Sequence, residues 1–426
     1  MRAQNNIINP YTYAIFVAGC ALSYFMALSY AYTEFVSDLY GYTGFNSDYN
    51  FLRATISSAV IFFLFLGLQR EKGVRKGVLS LVAGLFIVPS SVMFSAEEGG
   101  WWYYFLVVSG YYVIAITSKF SIPSIKWVPV NPLFFIGGLI FLYVLYFVGV
   151  VAKGGALHFN IDISKVYEYR DLSAKNLGGI FSYISPIMTK AVLPVLCGWC
   201  LLTKKKWAFA IAVSLGFISF AFTGHKSAAF FPFVVAFLYW FSAKEFLKIF
   251  ILSLLFLTVV SVLDFWLANK FGHDAWIGSL IARRTLLVPA HIDTSYVAYF
   301  SNNPFYFWEN SKFSFGLVDR SYEVGAPYQI GSEVYGSNVL GANTGFLGSG
   351  FANAGIFGVY LYATLLGLLT AFCRGASNVF GERFIIAVGS VPFIVLITSS
   401  DLTTVLLTHG LAALVFLLLF YPENAT

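Results

Sequence analysis

Long apolar runs separated by short polar stretches fill the chain from end to end. A bilayer span needs about 20 mostly apolar residues. By that rule twelve runs qualify, at about 11–30, 51–68, 78–95, 101–117, 131–152, 180–202, 207–222, 227–241, 247–266, 347–372, 384–398 and 402–420. The runs are continuous and do not alternate, so they predict helices and not the strands of a membrane barrel. The expected fold is an all-α polytopic membrane protein with about twelve transmembrane helices, a single integral membrane domain over 1–426. The first run follows a polar segment, Met1–Pro10, and reads as a retained helix, not a cleaved signal peptide.

Basic residues in short loops set the orientation. With the N-terminus in the cytoplasm, the inner loops and Arg2 hold 14 Lys/Arg and 4 Asp/Glu. Subtracting from 26 and 20 leaves the other side 12 basic and 16 acidic residues. Both termini are therefore expected inside. Two outer connections are long, 153–179 and 267–341, and long ordered loops usually carry function. The second is rich in aromatic residues and reads as a cap containing short helices, with the stretch from Trp276 to Phe300 forming one or two helices broken at Pro289.

Composition agrees and narrows the classes. Of the 426 residues, 58% are apolar and 11% charged, against roughly 25% charged in soluble domains. A soluble enzyme, a disordered chain and a disulfide scaffold are excluded. The net charge of +6 is not gathered on one face, which argues against nucleic acid as a partner. Cys197 and Cys200 form a C-x-x-C inside an expected span, where packing is the simplest reading. There is no Walker A sequence, no convincing dinucleotide fingerprint, no H-E-x-x-H and no D-x-D. No metal site and no cofactor are expected.

Outer-side cations and one imidazole are the candidate chemistry. Arg170, in Tyr167-Glu-Tyr-Arg-Asp171, is either a surface ion pair or a ligand contact. Lys226 lies in Thr223-Gly-His-Lys-Ser227, a tight turn that offers amides and a cation to an anion. Arg283 and Arg284 are adjacent in an apolar run; a guanidinium fork suits phosphate oxygens, although both also suit the acids of the same loop. Arg53 and Lys190 either line a polar cavity or pair with acids at the same depth. His291 is a candidate general base, because an imidazole can exchange a proton near working pH, with Asp293 as the substitute. His409 reads as a buried histidine in the last span. Asn338, Asn343 and Asn353 flank a Gly-rich span and carry amides suited to sugar hydroxyls or to helix packing.

The order of these motifs resembles the repeat-unit polymerases of bacterial O-antigen and capsule synthesis, the Wzy type. The resemblance rests on the two long outer loops, the arginine in the first, the Thr-Gly-x-Lys-Ser turn, the Arg-Arg-x-x-x-x-Pro-Ala stretch at 283–290 followed by Tyr296 and Phe300, and the Ala-Asn-Thr-Gly lead-in to the Gly-rich span. The R-x10-G spacing described for the family is absent after Arg170, Arg283 and Arg284. The resemblance implies a metal-independent, inverting glycosyltransferase of the bacterial inner membrane, working at the periplasmic face. Its substrate would be an oligosaccharide on undecaprenyl pyrophosphate. Arg170, Lys226, Arg283 and Arg284 would contact the pyrophosphate, and His291 would act with Arg283 and Arg284 in catalysis. Tyr169, Tyr296 and Asn343 would meet sugar. The bilayer and a chain-length regulator protein are the implied partners. A lipid-linked oligosaccharide flippase and an O-antigen ligase are the alternatives.

Overall fold

A computed structural model describes residues 9–46, 48–122, 127–161, 177–241, 245–311 and 314–423. The apolar runs are helices: α1 (Pro10–Ala31), α2 (Phe51–Leu68), α3 (Gly73–Ser95), α4 (Trp101–Thr117), α5 (Pro132–Ala152), α6 (Phe181–Leu202), α7 (Lys206–Thr223), α8 (Lys226–Trp240) and α9 (Phe246–Phe271). They continue with α10 (276–300), α11 (Ala326–Glu333), α12 (Phe346–Phe380), α13 (Glu382–Thr398), α14 (Leu402–Leu407) and α15 (Leu411–Leu417). Among the described residues, eight helices are long and apolar enough to cross a bilayer, and α4 and α8 are shorter apolar helices. The chain is an all-α, polytopic membrane protein. Its described strands are β1 (Val128–Val130) and β2 (Phe420–Pro422), a short parallel pair.

The last expected span, 402–420, is interrupted. Gly410 has φ of 84° and separates α14 from α15, with His409 in the interruption. A side chain at Gly410 would press on Ala191 Cβ at 2.7 Å. The close approach to α6 and the left-handed backbone both require glycine there.

Among the described residues there are four wide π turns, and three of them end two residues before a proline. The turns at Ala83–Ile87, Met188–Val192 and Ser279–Leu287 precede Pro89, Pro194 and Pro289. Proline supplies no N–H, and its ring collides with the carbonyl four residues back. Widening the preceding turn moves that carbonyl aside without ending the helix. The expected break at Pro289 is therefore absent: α10 runs from 276 to 300 through nine residues of π helix. Thr285 helps by donating its hydroxyl to Leu280 O at 2.7 Å.

The chain gathers into two compact units. The first holds Met1–Lys119, Ala243–Leu369 and Ile397–Asp401. The second holds Phe120–Ser242, Thr370–Leu396 and Leu402–Thr426. In the first unit α3 is the buried centre; every residue of its last turns, Val88–Ser95, is buried. Small hydroxylated residues make that possible. Ser91 and Ser95 donate to their own helix, at 2.8 and 2.7 Å, while Tyr103 donates to Ser90 Oγ at 2.9 Å. Polar groups are thus paired inside an apolar bundle, where close packing and hydrogen bonds hold helices together.

The cap of this unit is bound to a break in α12. Ala354 and Gly355 leave helical geometry, with Gly355 at φ of 56°. The break frees the carbonyls of Ala352 and Asn353, which accept the N–H groups of Tyr306 and Phe307 at 2.9 and 2.8 Å. Buried backbone groups freed by a helix break need such partners.

Candidate functional site

The first unit encloses an open cavity of about 1020 Å³, at the top of the roughly 300–1,000 Å³ range of small-molecule sites. Four separate stretches of chain meet there: the connection after α1 (Gly41–Asn46), the turn carrying Glu98, α10 with the residues just after it, and the segment after α11. The sequence reading places these stretches in outer connections on one side.

Glu98 owes its position to a tight turn. Glu98 N–H bonds back to Met93 O at 3.1 Å, closing α3, and Glu97 adopts φ of 60°. Arg53, on the first turn of α2, donates to Gly99 O at 3.2 Å and lies 5.1 Å over the Phe94 ring. Asn50 adds a bond from its amide to Glu97 at 2.6 Å. Arg53 therefore holds the turn that carries Glu98 and does not line the cavity itself. Glu98 points inward, with 4% of its side chain exposed.

His291 meets it from α10. Its Nδ1 bonds Glu98 Oε2, and the other carboxylate oxygen accepts the Tyr32 hydroxyl and Asn46 N–H, the latter at 2.8 Å. The Phe45 ring covers the imidazole at 4.4 Å between centroids. With Nδ1–H given to the carboxylate, Nε2 is the nitrogen with the free lone pair. It is buried and has no hydrogen-bond partner. An unmade buried hydrogen bond costs about 1–3 kcal/mol, so this atom is an unfavourable arrangement until a polar group reaches it. His291, the expected base, thus lies on the cavity wall with an orienting carboxylate. Sequence reasoning missed Glu98, because Glu97-Glu98-Gly99-Gly100 reads as an ordinary short turn.

Arg283 lies eight positions before His291 on the same helix. Its guanidinium carbon sits 3.9 Å over the Tyr40 ring, and Nη2 donates to Ser279 Oγ at 2.9 Å. Tyr40 adjoins Gly41 and Tyr42 of the cavity lining. Arg284 follows on an exposed face. Lys226 belongs to the second unit, where it opens α8 after Gly224, a left-handed residue at φ of 67° that ends α7. Arg170 and Tyr169 lie outside the described residues.

The structure describes further candidate residues. Tyr296, assigned to sugar contact, is fully buried and donates to Ala342 O at 2.9 Å, so no face remains for a ligand. Asn343 is exposed but does not line the cavity; its own N–H bonds Gly341 O at 2.9 Å. Asn353 anchors the cap, accepting from Trp308 N–H at 3.0 Å. The Ala-Asn-Thr-Gly lead-in serves Asp293 instead. Thr344 donates its hydroxyl to that carboxyl, and Gly348 N–H does so at 3.1 Å from the first turn of α12. Burial pushes the Asp293 carboxyl up to about 7, against the pull of these two donors. Asp293 is 1% exposed, a core residue beneath the wall and not a second base upon it. The loop aromatics also pack together: Tyr306 stacks on Tyr322 at 4.5 Å and meets Phe300 edge-on at 5.7 Å.

No protein-family model, no curated protein and no solved structure matches the chain.

Proposed function

We propose that this protein is a membrane glycosyltransferase that joins lipid-linked oligosaccharide repeat units on the outer face of a bacterial inner membrane, with the cavity of its first unit as the acceptor-sugar site and the donor pyrophosphate at its rim. One observation carries the reading: His291 is held by Glu98 through Nδ1 while its buried Nε2 lacks a partner at the cavity wall. The twelve-span layout expected from the sequence, with both termini inside, would put the 31–50, 95–100 and 267–341 connections on one side, and residues of these connections line the cavity.

The chemistry follows from that pair. An acceptor hydroxyl near Nε2 gives up its proton to the imidazole as its oxygen bonds the anomeric carbon of the donor sugar. The bond from that carbon to the phosphate oxygen breaks, and its electron pair leaves with the pyrophosphate. Glu98 stabilises the imidazolium that forms, and a positioned base of this kind contributes roughly 10²–10⁴-fold. Arg283, beside the rim at Tyr40, is suited to the charge that grows on the leaving group. Arg284, Lys226 and Arg170 remain proposed pyrophosphate contacts, and undecaprenyl pyrophosphate is the proposed carrier.

Reconstitution in proteoliposomes with purified lipid-linked repeat units tests the reading. Growth of a ladder of chain lengths supports it. Translocation of the repeat unit without growth points to a flippase, and transfer only onto lipid A core points to a ligase; either outcome rejects it.

A further inference from the structure

The wall around His291 carries information about what the cavity admits. α10 turns one face to it, with Ser295, Ala298 and Tyr299 at helical spacing i, i+3 and i+4, and Asn302 follows in the turn after the helix. This face is polar and neutral. Ser295 Oγ and Tyr335 OH lie 3.0 Å apart. Gln329 donates to Tyr299 OH at 2.9 Å. Asn303 donates its amide to Tyr299 O at 2.8 Å, leaving its own oxygen as an acceptor.

Charge is one-sided here. Among the described lining residues there is no Lys or Arg, and Glu98 is the single carboxylate. A ligand in the cavity therefore meets the Glu98 carboxylate and, among the described lining residues, no Lys or Arg. Hydroxyls, amide oxygens and aromatic edges of Tyr299 and Tyr335 suit a ring that both donates and accepts hydrogen bonds. The same set gives a carboxylate or a phosphate nothing to pair with.

We propose that the cavity is a subsite for an uncharged, hydroxyl-rich saccharide ring, that it rejects acidic sugars, and that phosphate groups of a substrate stay outside it. Its assignment to the acceptor sugar rests on the glycosyltransferase reading; the preference for a neutral ring rests on the wall alone.

The test is binding, which needs no turnover. The full chain in lipid nanodiscs is titrated by saturation-transfer NMR with the methyl glycosides of glucose, galactose, mannose and N-acetylglucosamine, and with methyl glucuronide and methyl galacturonide. Inorganic pyrophosphate serves as the competitor. At least one neutral glycoside is expected to bind saturably, the uronides at least about tenfold more weakly, and Asn302→Asp to weaken the neutral ligand by about tenfold. Ser295→Ala, a smaller change, is expected to weaken it less, and pyrophosphate not to displace it. The proposal is overturned if no neutral glycoside binds, if neither variant weakens the one that does, if a uronide binds as well, or if pyrophosphate competes. If neutral glycosides bind but chains do not grow on reconstitution, the saccharide cavity stands and the transferase reading falls.

Discussion

His291 and Glu98 lie 193 positions apart in the chain, yet the imidazole Nδ1 and a carboxylate oxygen of Glu98 are bonded in the interior of the first unit. The pair fixes the ring so that the buried Nε2 lies against Gly44, a residue of the cavity lining. A histidine oriented by a carboxylate, with its second nitrogen unpartnered, is an arrangement for moving a proton.

Glu98→Gln keeps the shape of the side chain but removes the charge that stabilises imidazolium. Initial rates of chain growth on lipid-linked repeat units should fall roughly 10²–10⁴-fold, with the protein still inserted and monodisperse. Tyr32→Phe, which removes one of the donors to Glu98, should cost less. A Glu98→Gln enzyme with undiminished rate would separate this carboxylate from catalysis.

Gly44 covers His291. Its φ is 97°, and a methyl group there would stand 3.3 Å from Nε2. Gly44→Ala should cost about 1–2 kcal/mol in backbone strain and crowd the basic nitrogen, so chain growth should drop. Gly41→Ala is the control, because its backbone is right-handed and open space surrounds the added methyl. Equal rates from the two variants would mean that access to Nε2 does not limit the reaction.

Arg283 and Tyr40 are stacked, a contact worth about 0.5–2 kcal/mol. If Tyr40 positions the guanidinium, the Arg283→Ala and Tyr40→Ala losses in rate should overlap, and the double variant should be no slower than Arg283→Ala alone. Arg283→Lys should recover little, since an ammonium lacks the planar fork. Fully additive losses would show that the two act separately.

Asp293 titrates near 7 in the folded protein against 3.8 for the ordinary side chain. The folded state thus holds this proton more tightly than the unfolded state. Its contribution to stability is complete below about pH 4, declines as pH rises toward 7, and is constant above that. Thermal unfolding in detergent should show a Tm that falls across this window in the wild type. Asp293→Asn should flatten that part of the profile; an unchanged slope would assign it to other groups.

The helices were readable in the sequence because apolar length alone specifies them: 51–68 and 101–117 coincide with α2 and α4 to the residue. Proline misled at 289, since a wide π turn can absorb what a tight helix cannot. The burial of Tyr296 was legible in principle. Asp293, Tyr296, Val297 and Phe300 recur at i, i+3, i+4 and i+7, and all four are buried, but the aromatic wealth of the loop drew attention away from its period. Glu98 was not legible. No local pattern shows that a two-residue acidic turn will meet a histidine in a helix far along the chain, and only the packing of α3 against α10 brings them together.

The central claim is that His291 Nε2 takes the proton of the acceptor hydroxyl. The most direct measurement is the rate of chain growth by purified wild-type and His291→Ala proteins reconstituted with the same lipid-linked repeat units. The account predicts long chains from the wild type and a loss of roughly 10²–10⁴-fold in rate for the variant, with both proteins equally folded. An undiminished ladder from His291→Ala would contradict it.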